Sequence, residues 1–340
     1  MAGTSTPALA AAVCNAGALG SIGVGAMSAD AARRSIAELR SATNHAFNVN
    51  VFCHHPSPND PAREIGWTDM LKPAFAQFGA TPPTALRETY QSFVADEAMF
   101  EMLMLERPAV VSFHFGLPSA AKVAALRSAG IILLASATNL EEARIVAGYG
   151  IDAVVAQGYE AGGHRGVFDP ALPDECLGTT ALTRLLVQNL EIPVIAAGGI
   201  MDGAGIAACL ALGASAAQLG TAFIACPESD ADTAYRAALL DKTNVRTTIT
   251  TAISGRPARC IVNKFTALGD GFPIEDIAAY PMAYDAGKAL NAAAKAKGEF
   301  GYGAQWAGQA AALARVMPAA LLVAELQSEL EQALANTRLN

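Results

Sequence analysis

Short, almost continuously apolar runs alternate with alanine-rich amphipathic stretches along most of this 340-residue chain, and that alternation narrows its fold more than any other feature. Strand-like runs fall at 17–24, 47–52, 109–115, 131–136, 153–157, 193–197 and 216–224. Between them, apolar residues at helical spacing occupy 29–41, 119–129, 140–148 and 203–212. A strand that is apolar at nearly every position is one covered on both faces, as in a parallel sheet flanked by helices. Repeated βα units build such a sheet, and eight of them close a barrel. The runs above number seven. The fold class expected is therefore α/β: a TIM-type (β/α)8 barrel without its first strand in the chain as it stands, joined to a helical cap domain. Residues 1–4 read as the loop after that strand, and 6–15 as the helix that follows, with Pro7 in its first turn. Met1 is accordingly expected to be an internal methionine.

Two segments break the βα rhythm. Residues 53–107 form a connection far longer than the usual few residues, helical and interrupted by prolines, and 226–340 follow the last strand and read as mostly helical, ending in a packing helix at 321–334. Long excursions from a barrel commonly cover its mouth. The expected domains are a barrel from 1–52 and 107–225, and a cap or substrate domain from 53–106 and 226–340.

Composition excludes several function classes. At 52% hydrophobic and 16% charged residues the chain has ample apolar surface for a large core, which rules out disorder. The balance of 23 Lys+Arg against 31 Asp+Glu gives a net charge of −8, and no basic run is present, so nucleic acid is not an expected partner. The uncharged stretch before Ala29 contains Thr4, Ser5, Thr6, Pro7, Asn15 and five glycines, with no Lys or Arg ahead of it. It reads as buried structure rather than a signal or membrane segment. Six cysteines without a CxxC pair suit reduced core thiols and a cytoplasmic location. No metal site is expected, because adjacent ligands such as Cys53, His54 and His55 rarely converge on one ion.

The densest chemical signal is the run Gln157-Gly158-Tyr159-Glu160-Ala161-Gly162-Gly163-His164-Arg165-Gly166, directly after a strand. Strand C-termini are where barrel active sites collect. Gly162 and Gly163 let the backbone approach a ligand, and His164 suits a general base or a donor to an anion, the alternative being a glycine turn with a solvated His and Arg. Glycine steps at Gly198-Gly199 and at Gln218-Leu219-Gly220-Thr221 occupy the positions where barrels build phosphate sites. Asn50, His114 and Gln157 are polar residues near strand ends. Singly, each is as readily a satisfied core hydrogen bond; together they suit a ring with amide edges such as a flavin. Tyr284 and Lys288, four apart, share one helical face after Tyr280, and suit a small anionic substrate or an ordinary amphipathic surface; Tyr90 is open in the same way.

These motifs, with Phe47-Asn48-Val49-Asn50, Val111-Ser112-Phe113-His114-Phe115-Gly116, Ala196-Ala197-Gly198-Gly199-Ile200-Met201-Asp202-Gly203, Tyr284-Asp285-Ala286 through Leu290 and the run 304–309, together resemble class I nitronate monooxygenases over nearly the whole chain. The resemblance implies non-covalently bound FMN, with contacts on Asn50, Gln157, Gly162, Gly163, Gly199, Gln218, Leu219, Gly220, Thr221 and Arg256, and with Met1, Ala2 and Gly3 lying against the flavin. It implies His164 as the catalytic histidine, and Tyr90, His114, His164, Tyr280, Tyr284 and Lys288 as substrate-cavity residues. The implied reaction is oxidation of alkyl nitronates, such as propionate 3-nitronate, by dioxygen to carbonyl compounds and nitrogen oxides. The rival readings are a nicotinamide-dependent flavin barrel reductase acting on enoyl thioesters or quinones, and a non-catalytic flavin- or phosphate-ligand-binding protein. Alanine-rich helix faces permit a homodimer without requiring one.

Overall fold

The computed structural model describes residues 1–56 and 60–337, which form ten strands: β1 (Gly20–Gly23), β2 (Phe47–Phe52), β3 (Val110–His114), β4 (Ile132–Ala137), β5 (Ala153–Gln157), β6 (Gly163–His164), β7 (Val194–Ala197), β8 (Ala216–Gln218), β9 (Thr247–Thr250) and β10 (Ala258–Ile261). Seven of them make one curled parallel sheet in the order β1-β2-β3-β4-β5-β7-β8. A parallel sheet needs crossovers, and these are the helices Ala29–Ala42, Ala120–Ser128, Leu140–Gly148, Thr179–Asn189 and Gly203–Ala211. Their starts are written locally: Ser28, Ser119, Asn139 and Asp202 each accept a backbone N–H from the first turn of the helix they precede.

The period-two alternation of the strands sorts residues onto the two faces of the sheet. Val49, Val51, Val111, Phe113, Ala135, Val154 and Ala156 turn outward and pack with Ile36, Leu39, Val123, Leu126, Val146 and Leu186 of the crossover helices. On the inner face, Val110, Leu134, Ala153 and Val155 cluster with Ala197. One pleat further along each strand the inner residues become polar: Asn48 and Asn50 on β2, Ser112 and His114 on β3, Ser136 on β4, Gln157 on β5. They pair with one another, with Asn48 Nδ2 donating to both Ser21 Oγ and Ser112 Oγ at 2.8 Å. All the strands run parallel, so this polar layer lies at a single end of the sheet.

Three expectations need correction. The run 216–224 is a strand only to Gln218, and Thr221–Phe223 is a 3-10 turn, because Gly220 breaks the extended backbone. Residues 226–340 are not helix alone: β9 and β10 pair antiparallel there, where Thr247-Thr248-Ile249-Thr250 supplies β-branched residues. The glycine loop after β5 is itself partly a strand, since β6 pairs with β10 through Ala258 opposite His164 and Arg259 opposite Gly163. The C-terminal packing helix runs Ala319–Thr337 and lies so close to Gly203 that a Cβ there would sit 2.1 Å from the Leu330 nitrogen.

The edges β1 and β8 are not paired with each other. Between their C-terminal ends lie Met1 and Ala2: a Cβ on Gly23 would be 3.0 Å from the Ala2 nitrogen, and one on Gly220 would be 3.6 Å from Met1 Sδ. Segments from the two excursions share a core, in which Trp67, Leu71, Phe75 and Leu86 pack with Ile253, Phe265, Leu290 and Tyr302. Among the described residues no helix is long and apolar enough to cross a membrane.

Candidate active site

At the polar end of the sheet, β3 finishes in His114 and then turns sharply. Phe115 has φ +74° and Gly116 φ +132°, so a bulky aromatic occupies the left-handed region, a strained conformation of the kind that collects at functional sites. The turn drives the Phe115 ring inward, where its centroid lies 4.3 Å from that of His114, 5.7 Å from His164 and 5.6 Å from Tyr280. The Arg256 guanidinium sits 4.3 Å from the same ring.

His164 is held from three sides. Its carbonyl accepts from Gln157 Nε2 at 2.9 Å and from His114 Nε2 at 3.3 Å, and its own Nε2 lies 2.9 Å from Ser254 Oγ. Ser254 Oγ is also 3.2 Å from the Arg256 carbonyl. A carbonyl only accepts, so the arrangement that uses both contacts has Ser254 donating to Arg256 O and receiving the proton of His164 Nε2. His164 Nδ1 then carries the free lone pair. His114 Nε2 faces the His164 carbonyl and Nδ1 lies against Ser136 Oγ, which is also 3.2 Å from the Phe113 carbonyl, so neither ring nitrogen is left for a ligand.

The imidazoles here are uncharged at neutral pH. Burial, then His114, Arg256 and His54, pushes His164 down to about 3. His114 is brought to about 3 by burial and Arg256, and His54 to about 4 by burial, Arg256 and His55. Groups whose folded pKa is depressed below the unfolded value of about 6.5 must take up protons on unfolding in acid, so the stability they permit is complete above that value and is lost as pH falls. Between pH 6.5 and 5 the unfolding free energy should fall with a slope approaching three protons, about 4 kcal/mol per pH unit. Urea midpoints across that range measure the slope, and midpoints that stay level would contradict burial of the neutral histidines.

Facing His164 are residues from both excursions. Tyr280 and Tyr284 lie 5.4 Å and 6.2 Å from its ring, and Trp306 lies 5.1 Å away. Lys288 Nζ is 4.5 Å from the Tyr90 ring centroid and 4.9 Å from that of Tyr284, so the expected shared helix face exists and turns toward Tyr90. Burial lowers the Lys288 pKa against the opposing charge of Asp285, and burial raises those of Tyr90, Tyr280 and Tyr284, which therefore remain hydroxyl donors. On its outer side Lys288 lines an open cleft of about 500 Å³ together with Pro83, Arg87 and Asp285.

The residues present suit a flavin phosphate and an amide-edged ring. Gly199 (φ +70°) and Gly220 follow β7 and β8, and among the described residues neither N–H has an acceptor, which leaves two backbone donors at the expected phosphate position. Thr221 Oγ1 accepts from Gly308 N at 2.9 Å, which ties the 306–309 loop to that site. Gly162 permits this closeness, since a Cβ there would lie 2.6 Å from the Ala307 carbonyl carbon. Gly163 (φ +76°) is paired across from Arg259. Asn50 spends its Nδ2 on Ser112 and keeps Oδ1 without a partner among the described residues. Gln157 is more committed: Oε1 accepts from Gly166 N at 2.7 Å and one Nε2 hydrogen goes to His164, leaving a single donor free. Gln218 is exposed and Leu219 half-buried, beside Met1 and Gly220. Ala2 and Gly3 lie next to Gly23 and at the first turn, respectively.

A model of the nitronate monooxygenase family matches residues 1–329. The chain belongs to that family. It is 64% identical over 338 residues to a nitronate monooxygenase of Paraburkholderia phytofirmans, covering 99% of this chain and 92% of the relative. It is 55% identical over 332 residues to one of Pseudomonas aeruginosa, covering 97% and 94%. Among solved structures, a nitroalkane oxidase from Streptomyces ansochromogenes superposes with a TM-score of 0.91 at 40% identity, covering 98% of this chain and 94% of that one. FabK from Thermotoga maritima superposes with a TM-score of 0.74 at 29% identity, covering 99% and 93%. The family is one of flavin-dependent oxidoreductases.

Some site residues carried no signal that sequence reading used. Phe115 stood in a quoted motif but only its φ reveals its part. Ser254 was visible merely as a neighbour of Arg256, and Trp306 as one letter of the 304–309 run. Arg165 proves buried at 1% exposure, ion-paired to Asp174 at 2.7 Å and donating to the Gln157 and Gly158 carbonyls, so it braces the loop and is not solvated. Burial pushes Asp174 up, but the bonds and charge of Arg165 and the Cys176 N–H outweigh it, and the net shift is downward.

Proposed function

We propose that this chain oxidises alkyl nitronates with FMN and dioxygen, releasing carbonyl compounds and nitrogen oxides, at the site around His164. The observation that carries the proposal is the contact of a neutral, Ser254-tethered His164 with a cluster of tyrosine rings that also meets one lysine, at the end of the sheet where Gly199 and Gly220 offer free N–H groups. The segments 53–106 and 226–340 serve in this reading as a cap bearing Tyr90, Tyr280, Tyr284 and Lys288. Asn50, Gln157, Gly162, Gly163, Gly199, Gln218, Leu219, Gly220 and Thr221 would hold FMN, with residues 1–3 beside it; Arg256, expected as a further flavin contact, is instead read by its place against Phe115 and the Val167 carbonyl.

Bound FMN supplies an electron acceptor for the substrate and, once reduced, the reductant of dioxygen. The chain's own residues do the rest. The Tyr284 hydroxyl, which accepts hydrogen bonds from Tyr90 and Trp306, is left to donate to a nitronate oxygen, and Lys288 meets a substrate carboxylate such as that of propionate 3-nitronate. For a neutral nitroalkane, His164 Nδ1 removes the α-proton, with Ser254 fixing the ring so that this nitrogen is the basic one. Trp306 and Phe115 wall the histidine from water.

A nicotinamide-dependent flavin barrel reductase, the rival that the sequence leaves open, is the second reading. Anaerobic mixing of FMN-loaded protein with propionate 3-nitronate separates the two. Loss of oxidised-flavin absorbance without any nicotinamide is expected; reduction by NADH or NADPH alone would overturn the proposal.

A further inference from the structure

Among the described residues three arginines are almost fully buried, and two have their donors taken. Arg165 is neutralised by Asp174, while Arg259 gives Nε and Nη2 to the Tyr159 carbonyl and Nη1 to Thr247. Arg256, 3% exposed, differs. It makes one hydrogen bond, from Nη2 to the Val167 carbonyl, its Nε has no partner, and among the described residues no carboxylate lies within ion-pair reach. Glu142 and Asp169 act on it only at a distance, and Glu142 spends its oxygens on Thr138 and Phe168. Leaving a buried guanidinium uncompensated is costly, so the fold retains it against its own stability.

Its position supplies a reason. The charge lies against the Phe115 ring, and the other aromatic neighbours of that ring are Phe52, His54, His114, His164 and Tyr280. A ring offers its negative face to the cation and excludes water between cation and cavity, so the field is little screened there. His164, being neutral, cannot balance a substrate anion, and Lys288 lies against the Tyr90 and Tyr284 rings.

We propose that Arg256 is a positioning residue whose unneutralised charge, spaced by Phe115, supplies the positive field that holds a nitronate anion beside His164. The proposal rests on the nitronate reading above for its substrate, but its electrostatic half does not. The groups facing His164 are His114 from β3, His54 after β2, Ser254 and Arg256 from the 251–257 turn, Tyr280 and Tyr284 from the helix side, and Trp306 from the 304–309 run. Of these, only Arg256 is a permanent cation, and burial leaves its pKa at about 10.

The test compares FMN-loaded wild type, Arg256→Gln and Arg256→Lys. First, the His164 titration is followed by NMR, its signal assigned by its absence in His164→Asn. In wild type the midpoint should lie below about pH 5, in Arg256→Gln it should rise by about one unit, and in Arg256→Lys it should stay within a few tenths. Second, kcat/KM is measured for ethyl nitronate and for neutral nitroethane, which share a carbon skeleton. The nitronate-to-nitroethane ratio should fall about tenfold in Arg256→Gln and recover in Arg256→Lys, as a lost Coulomb interaction requires and a packing defect does not. A wild-type midpoint near the ordinary 6.5, an unmoved midpoint in Arg256→Gln, an unchanged ratio, or Lys performing no better than Gln would each overturn the proposal. The wild-type titration needs neither Arg256 variant to fold, only the assignment variant His164→Asn. If ethyl nitronate is not oxidised at all, the nitronate reading fails, and the titration still judges Arg256.

Discussion

Replacing His164 with asparagine is expected to leave the flavin bound and to remove most turnover. The loss should be about 10²- to 10⁴-fold with a neutral nitroalkane, where a proton must be taken from carbon, and smaller with the preformed nitronate, which needs none. Asparagine is shorter than histidine and gives up the contact of Nε2 to Ser254 Oγ, so the loop is expected to persist through its backbone pairing to β10. It lacks the Nδ1 lone pair. Flavin content read from the absorbance spectrum, alongside kcat for nitroethane and ethyl nitronate, checks both halves. Equal rates in variant and wild type would remove His164 from its assigned role; loss of flavin would mean that its part is structural.

The second large effect is expected from Gly162→Ala. The new Cβ would lie 2.6 Å from both the Ala307 carbonyl carbon and the Gly308 nitrogen, and backbone atoms have no rotamer by which to yield. The 306–309 loop must move, carrying Trp306 from its place 5.1 Å from His164 and breaking the Gly308 N–H to Thr221 bond. Overpacking of this kind costs about 1–3 kcal/mol, and flavin affinity should fall at least about tenfold. Fluorescence-quench titration of FMN and a urea unfolding curve measure the two. Wild-type affinity with unchanged stability would show that the Gly162 loop and the 306–309 loop do not need their close contact.

The fold was legible in the sequence to the extent that it rests on short-range pattern. Seven near-continuous apolar runs predict seven parallel strands, because burial on both faces writes itself into every residue of a strand. The error at 216–224 has the same origin: the apolar run continues past Gly220, while hydrogen bonding to a neighbour, which decides where a strand stops, leaves no mark in hydropathy. β9 and β10 escaped for a related reason. They are four residues each, paired with one another and, through β10, with the two-residue β6, so they are a tertiary arrangement more than a local one.

The candidate site was legible residue by residue but not in its connections. His164, Tyr284 and Lys288 stand out by type and spacing, whereas the tether from Ser254 spans 90 residues and has no periodicity to betray it. Phe115 is conspicuous only through a backbone angle, and a Phe before a glycine reads as ordinary turn chemistry. Reading His164 as a protonated donor is the kind of inference composition invites; its burial among His114, His54 and Arg256 reverses the sign, and passes the role of cation to residues elsewhere in the cavity.

The measurement that bears most directly on the central claim is oxygen uptake by purified, FMN-supplemented protein given propionate 3-nitronate, with no nicotinamide present. The account predicts rapid uptake, reduced in His164→Asn by less than the loss expected with a neutral nitroalkane. No uptake from a protein with flavin visibly bound would contradict it.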